Sequence, residues 1–320
     1  MTQREQNPFA FSDTNKRYHT YDYYLRHAMG GKCAKLPLDA GLTCPNIDGR
    51  CGVGGCIYCS GRGSGDFAPE ATLSITEQIA KQKQVYARKW EVSRYLAYFQ
   101  AHTNTYAPVE RLRALYEEAL ASEGVVGLNI ATRADCLPEE VLELLAEISE
   151  RTVLTVELGL QSSNDATAKR IGRGHDYASF LGGYAALRQR VPKARISVHL
   201  ILGLPGETRE EMLRSVRDVA LLHPEEVKLH LLHVLRGTAL EKEYESGAYT
   251  PLSQEEYVSL VVDALELLPP DVVVGRLTGD GMGEALLAPL WSRRKIAVIN
   301  DVDKLLFARG SMQGVAYLPE

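Results

Sequence analysis

Short apolar runs recur near residues 36–39, 95–100, 125–131, 153–159, 196–202 and 227–233, each followed by a helical pattern or by a loop rich in glycine and polar residues. Strands alternating with amphipathic helices predict βαβ units and a parallel sheet. The helix starts agree. Ser74-x-x-Glu77, Thr208-x-x-Glu211 and Ser253-x-x-Glu256 each read as a capping box, and Pro138 suits a first helical turn. The helix near 138–149 places Val141, Leu144, Leu145 and Ile148 on one face. Six such units fit an α/β fold, an open, partial (β/α)6 TIM barrel, in which functional loops gather at the C-terminal ends of the strands.

Outside this rhythm the chain changes character at both ends. Residues 1–34 begin polar, with disorder expected to about Asn15, and then offer Tyr18, Tyr21, Tyr23, Tyr24 and Leu25 as a short aromatic arm or helix, a spacing that more often serves packing than base stacking. After His233 the pattern runs through a tyrosine-rich segment and a helix over 253–267 to Pro269-Pro270, which breaks it. The expected division is an arm over 1–34, a barrel core over 35–268 and a C-terminal cap over 269–320, with two separate domains as the alternative. The cap carries Arg276, Thr278-Gly279-Asp280-Gly281, Trp291 and the basic run Arg293-Arg294-Lys295.

The 320 residues, 45% of them apolar, can bury a full core. Lys and Arg total 36 against 41 Asp and Glu, a net charge of −5, so any nucleic-acid binding must use a local patch. No uninterrupted apolar run approaches a membrane span, and the N-terminus lacks an apolar signal core, so a cytoplasmic location is expected.

The candidate chemistry centres on one glycine-rich loop. Cys44, Cys51, Cys56 and Cys59 fall within sixteen residues, four of the six cysteines of the chain. In a reducing compartment such thiols read as metal ligands rather than disulfides. Four thiolates would close a tetrahedral zinc site, whereas three on an iron–sulfur cluster would leave one iron open, as a catalytic metal requires. A second C-x2-C knuckle, usual in zinc ribbons, is missing here. Cys33 stands apart and reads as an ordinary thiol.

The C-x11-C-x2-C spacing of Cys44, Cys56 and Cys59 comes with Pro45-Asn46, Asp48-Gly49, Gly54-Gly55 and Tyr58. Further along stand Tyr98-Phe99-Gln100-Ala101, Ala131 to Cys136, Glu157 to Gln161, Gly174-His175-Asp176, Gly203-Leu204-Pro205-Gly206-Glu207 and Lys228-Leu229-His230. This ordered set resembles radical S-adenosylmethionine (SAM) enzymes related to the elongator catalytic subunit, and within them the bacterial YtqA/YhcC-type branch. The likeness runs from about Arg17 to the end. Cys51 is an addition to the branch's pattern and opens an alternative C-x4-C-x2-C triad, and Ala134 stands where relatives often have proline.

The resemblance implies a [4Fe–4S] cluster on Cys44, Cys56 and Cys59 whose open iron chelates the amino and carboxylate groups of SAM. Reductive cleavage then yields a 5′-deoxyadenosyl radical. It also implies that Tyr58, Glu157 and Gln161 lie along the cofactor, that Gln100 sits near its methionine amino group, and that the strand edge at His199 and Ile201, with Gly203, packs along its adenine. The branch suggests tRNA as substrate, with the carboxymethylaminomethyl group of a wobble uridine processed to aminomethyl, and an electron donor such as flavodoxin or ferredoxin. The alternatives are a radical SAM enzyme acting on a small molecule and a non-catalytic zinc-binding adaptor.

Candidate reaction residues are Cys136, Arg133, Arg173 and His230, and each has a plainer reading. Arg133 pairs with Asp135 or meets substrate; Arg170, Arg173, His175 and Asp176 cap a helix or bind an anion; Cys136 is a small buried residue or a hydrogen-transfer thiol. His230 and His233 lie at odd spacing, so on a regular strand at most one faces the barrel mouth. For RNA phosphates the candidates are Arg293, Arg294 and Lys295, with Arg188, Arg190, Lys193 and Arg195. A charge run of this kind is more often a solvated face.

Overall fold

The computed structural model describes residues 7–63, 65, 67–88, 91–279 and 283–319. Its strands are β1 (Cys33–Leu38), β2 (Arg94–Phe99), β3 (Val125–Thr132), β4 (Val153–Gln161), β5 (Arg195–Leu202) and β6 (Glu226–Leu231). The short β7 (Val234–Leu235), β8 (Val273–Arg276) and β9 (Leu286–Ala288) follow. A seven-stranded sheet runs in the order β1-β2-β3-β4-β5-β6-β8, and β7 pairs antiparallel with β9. β1 to β4 pair in parallel in succession, as do β6 and β8. The sheet therefore exceeds the six expected strands by one. β8 comes from the segment assigned to the C-terminal cap, where the apolar run Val272-Val273-Val274 before Gly275 and Arg276 is too short to announce a strand.

The described residues gather into two compact units, one drawn from 31–160 and 168–197, the other from 1–30, 161–167 and 198–320. In the first, helices Ile75–Ala87, Val109–Leu120, Glu139–Ser149 and Tyr177–Arg190 follow or separate the strands. Val141, Leu144, Leu145 and Ile148 are all buried, as their shared face requires, and Leu142 joins them. Phe99 meets Tyr116 edge to face, ring centres 5.2 Å apart, in a core with Leu36, Leu128, Ile130 and Val156. On β1 the burial alternates, with Ala34, Leu36 and Leu38 buried and Cys33, Lys35 and Pro37 half-buried, so the second face of this strand is not part of a dry core.

In the second unit, helices Arg209–Leu222 and Gln254–Leu267 begin with the capping boxes that the sequence announced, as does Ile75–Ala87 in the first. Each such cap satisfies two orphan amides and stabilises its helix by about 1 kcal/mol. Residues 7–15 depart from the expected disorder. Asn7 Nδ2 donates to the carbonyls of Thr14 at 2.9 Å and Lys16 at 2.6 Å, Phe9 is 4% exposed, and Asp13 accepts two bonds from Arg26. Two phenylalanines in a polar stretch supply the burial that a solvated tail lacks: Phe11 stacks on His19 with centres 4.9 Å apart. The arm continues into helix Tyr21–Ala28, and Thr20 bridges to Val274 of β8. No helix among the described residues is long and apolar enough to cross a membrane.

Candidate functional site

The loop after β1 folds on itself. Ile47 N donates to Cys44 O at 2.8 Å, Cys51 N to Pro45 O at 2.8 Å and Cys59 N to Cys56 O at 3.0 Å. The last of these closes a backbone turn over the C-x2-C segment. Cys44, Cys56 and Cys59 are half-buried and Cys51 is exposed; none of the six cysteines is in a disulfide. Among the described residues, no three His, Cys, Asp or Glu side chains gather as ligands to a single ion would.

A polar clasp fastens this loop to residues 171–175. Ile57 N donates to Ile171 O at 3.1 Å. Asn46 Nδ2 donates to Gly172 O at 3.0 Å and Arg173 O at 2.7 Å, and lies 3.4 Å from Cys56 Sγ. Arg133, at the end of β3, donates from Nη1 to Asn46 Oδ1 at 2.6 Å and to Arg173 O at 3.0 Å, and its remaining nitrogens pair with Asp135 at 2.9 and 2.7 Å. Arg173 donates from Nε to His175 O at 3.0 Å and from Nη1 to Leu160 O. Asp176 caps helix Tyr177–Arg190 through Ser179 N at 2.8 Å.

Burial sets the electrostatics of the clasp. It works against the charge of Arg133, yet the hydrogen bond and charge of Asp135 hold the guanidinium above its ordinary value; burial likewise opposes Asp135, and Arg133 keeps that carboxyl below its usual range. Burial pushes the Cys56 thiol up, Asn46 and Tyr58 pull it down by hydrogen bonding, and the charges of Cys44 and Arg133 act on it in opposite directions. Cys136 is buried and pushed up to about 12, first by desolvation and then by Asp135. Its carbonyl accepts from Thr105 Oγ1 at 2.5 Å. His175 is pulled down to about 4 by burial and by Arg173, so it is neutral, and its Nε2 is buried with no hydrogen-bond partner among the described residues.

One strand face of the same unit is polar where a closed core would be apolar. Glu157 on β4 is fully buried, and its Oε1 accepts from Lys35 Nζ on β1 at 2.9 Å and from Asn129 Nδ2 on β3 at 2.9 Å. Lys35 Nζ also lies 4.8 Å from the ring centre of Tyr98. Asn129 Oδ1 and Gln100 Nε2 are buried without a hydrogen-bond partner among the described residues. Such groups are costly unless another molecule satisfies them.

In the second unit, Gly203 follows β5 with φ +89, and a Cβ there would meet Leu252 Cδ1 at 3.3 Å. Tyr249 Oη donates to Gly203 O at 2.8 Å, and Met212 Sδ lies 3.0 Å from Gly203 N. His199 and His230 face each other with ring centres 5.1 Å apart, and Ile201 is 9% exposed. Gln161, the last residue of β4, has φ +68 without being glycine. β6 ends at Leu231 because Leu232 N turns to Leu202 O at 3.0 Å, so His233 lies beyond the strand and the alternation argument does not reach it. Asp280 and Gly281 of the Thr278 motif lie outside the described residues.

Three participants were not singled out by the sequence: Asn46 as the centre of the clasp, and Lys35 and Asn129 beneath Glu157. For the last two a signal existed, because a lysine inside CAKLPL and an asparagine inside VVGLNIAT interrupt apolar strands.

The model of the radical SAM superfamily matches residues 47–219, and that of the radical SAM C-terminal domain matches residues 224–307. The first match begins after Cys44 and contains Cys51, Cys56 and Cys59. The chain is 47% identical to the uncharacterized protein YtqA of Bacillus subtilis, over 97% of this chain and 96% of that one. It is 31% identical to a tRNA uridine(34) acetyltransferase of Dehalococcoides mccartyi over 50% of this chain and 34% of the other. Among solved structures, Elp3 of the archaeon Methanocaldococcus infernus aligns with a TM-score of 0.64 at 18% identity, over 88% of this chain and 64% of that one, and this likeness carries the partial-barrel fold.

Proposed function

Because the chain belongs to the radical SAM superfamily, we propose that it is a tRNA-modifying member that processes the carboxymethylaminomethyl group of a wobble uridine to aminomethyl. The superfamily's cofactors are a [4Fe–4S] cluster and SAM, which together supply one-electron cleavage of SAM to methionine and a 5′-deoxyadenosyl radical. Cys44, Cys56 and Cys59 would hold the cluster, and the donor set fits: three thiols outside any disulfide on one loop whose backbone is fixed by the clasp. Gln100, Glu157 and the Gly203 turn, with Tyr58, Gln161, His199 and Ile201, are the residues we propose for SAM on the family resemblance. The buried Nε2 of Gln100, without a hydrogen-bond partner among the described residues, suits a polar ligand. A one-electron donor of the flavodoxin or ferredoxin class would serve the cluster in the cytoplasm.

The observation that carries the RNA reading is the kinship, across half of this chain, with an enzyme named for uridine 34 of tRNA. Arg293 and Arg294 are exposed, with Arg293 spending one nitrogen on the carbonyl of Gly283 at 2.9 Å and Arg294 close enough for its charge to be felt at Asp301. Arg190 and Lys193 are instead already paired with Glu139 and Glu150, which weakens their claim to phosphates. Replacing Arg293, Arg294 and Lys295 by alanine should weaken tRNA binding and flatten its salt dependence by about 0.9 in log–log slope per lost phosphate contact. SAM cleavage without substrate should stay unchanged. Nucleoside analysis of tRNA from a deletion strain and its parent is the direct test, and unaltered wobble uridines together with no salt-dependent tRNA binding would replace RNA by a small-molecule substrate.

A further inference from the structure

We propose that Asn46 is a positioning residue that donates an N–H···S hydrogen bond to Cys56 and thereby raises the reduction potential of the cluster this cysteine binds, a role that rests on Cys56 being a ligand. The orientation of its amide is fixed by the neighbours. Arg133 Nη1, which can only donate, lies 2.6 Å from Oδ1, while two carbonyl oxygens, of Gly172 and Arg173, lie 3.0 and 2.7 Å from Nδ2. The nitrogen therefore faces Cys56 Sγ, 3.4 Å away, and because its two hydrogens serve three acceptors, the N–H aimed at sulfur is shared with a neighbouring carbonyl.

The surroundings leave the amide little freedom. Asn46 is 4% exposed and Arg133 7%, so the bonds act in a medium of low dielectric and water does not compete for them. On the far side Gly174, at φ +81, has no room for a side chain, since a Cβ would stand 2.2 Å from Asn46 Oδ1. An aspartate in place of Asn46 would turn an oxygen towards two carbonyls and a thiolate. A thiolate on a cluster gains negative charge when the cluster is reduced, so a donor aimed at its sulfur binds the reduced state more strongly and shifts the couple upward. Arg133 orients Asn46 through its bond to Oδ1, and its charge is also felt at Cys56, so a variant that keeps this charge isolates the orienting role.

The test is a potentiometric titration of the anaerobically reconstituted protein, followed by electron paramagnetic resonance, with Asn46→Ala and Asn46→Asp beside the parent. The expected result is about a tenfold fall in the reduced-to-oxidised ratio at fixed potential, a downward shift of about 59 mV for one electron, together with faster loss of iron to a chelator. Faster iron loss at an unshifted potential would leave Asn46 a purely structural clasp and overturn the proposal, as would parental behaviour in both measurements. Should neither variant retain a cluster, Arg133→Lys decides: it keeps the charge but loses the fork that orients the amide, and an unshifted potential there overturns the proposal too. Loss of the ligand reading itself would appear separately, as iron retained by Cys56→Ala.

Discussion

The glycine-rich loops that follow β1 and β5 are held in opposite ways. The cysteine loop is fastened by polar side chains, Asn46 and Arg133, while its tip stands in solvent, with Val53 86% exposed. The Gly203 turn is held by packing: Leu252 closes over its α-carbon, Tyr249 takes its carbonyl, and Leu204 is buried beside it. A loop that presents thiols must be fixed yet open, so directional bonds at its base suit it. A turn whose own backbone is the assigned contact to a cofactor must be shaped, and close packing with no Cβ does that.

The largest effect should come from the thiols. Cys44→Ala, Cys56→Ala and Cys59→Ala should each abolish iron incorporation in anaerobic reconstitution, read as iron content and visible absorption, while Cys51→Ala should keep both. Cys51 is exposed, 3.9 Å from Arg133 Nη2, whereas Cys44 is half-buried like Cys56 and Cys59 and carries the C-x11-C-x2-C spacing. The opposite pattern, iron lost with Cys51 and kept without Cys44, would transfer the first ligand to the C-x4-C-x2-C triad.

A smaller effect of a different kind is expected at the packed turn. Gly203→Ala places a side chain in a left-handed conformation against Leu252, at a cost of about 1–2 kcal/mol. If the turn contacts SAM, affinity measured by calorimetry should fall roughly tenfold, the equivalent of about 1.4 kcal/mol, with iron content unchanged. Unchanged affinity would remove Gly203 from the cofactor site.

Much of this comparison was legible in the sequence, for reasons that differ by element. The six main strands follow from apolar runs of ordinary length, and the capping boxes at Ser74, Thr208 and Ser253 from local chemistry that needs no tertiary partner. The two loops announced themselves by composition. What stayed hidden depends on distant partners: β8 is four residues long and exists because Glu226 and Val227 of β6 offer it an edge. Asn46 reads as a turn former until residues 171–173, more than a hundred positions away, supply its acceptors. The arm at 7–15 is ordered by Arg26, which its polarity does not foretell.

The smallest effect sharpens the contrast most. Tyr249 is buried, and desolvation pushes its phenol well above the ordinary value, so it stays protonated and donates to Gly203 O across the working pH range. Tyr249→Phe removes one neutral hydrogen bond and leaves the aromatic packing, so the stability lost should be about 1 kcal/mol, measured by denaturant unfolding of parent and variant. Because the freed carbonyl belongs to the turn itself, SAM affinity should fall by less than in Gly203→Ala, and iron content should not change. If packing alone shapes the turn, stability will drop while affinity holds, and the role of Tyr249 will be confined to the core. An affinity loss equal to that of Gly203→Ala would show instead that this turn, like the cysteine loop, depends on a directional bond, and the distinction between the two loops would fail.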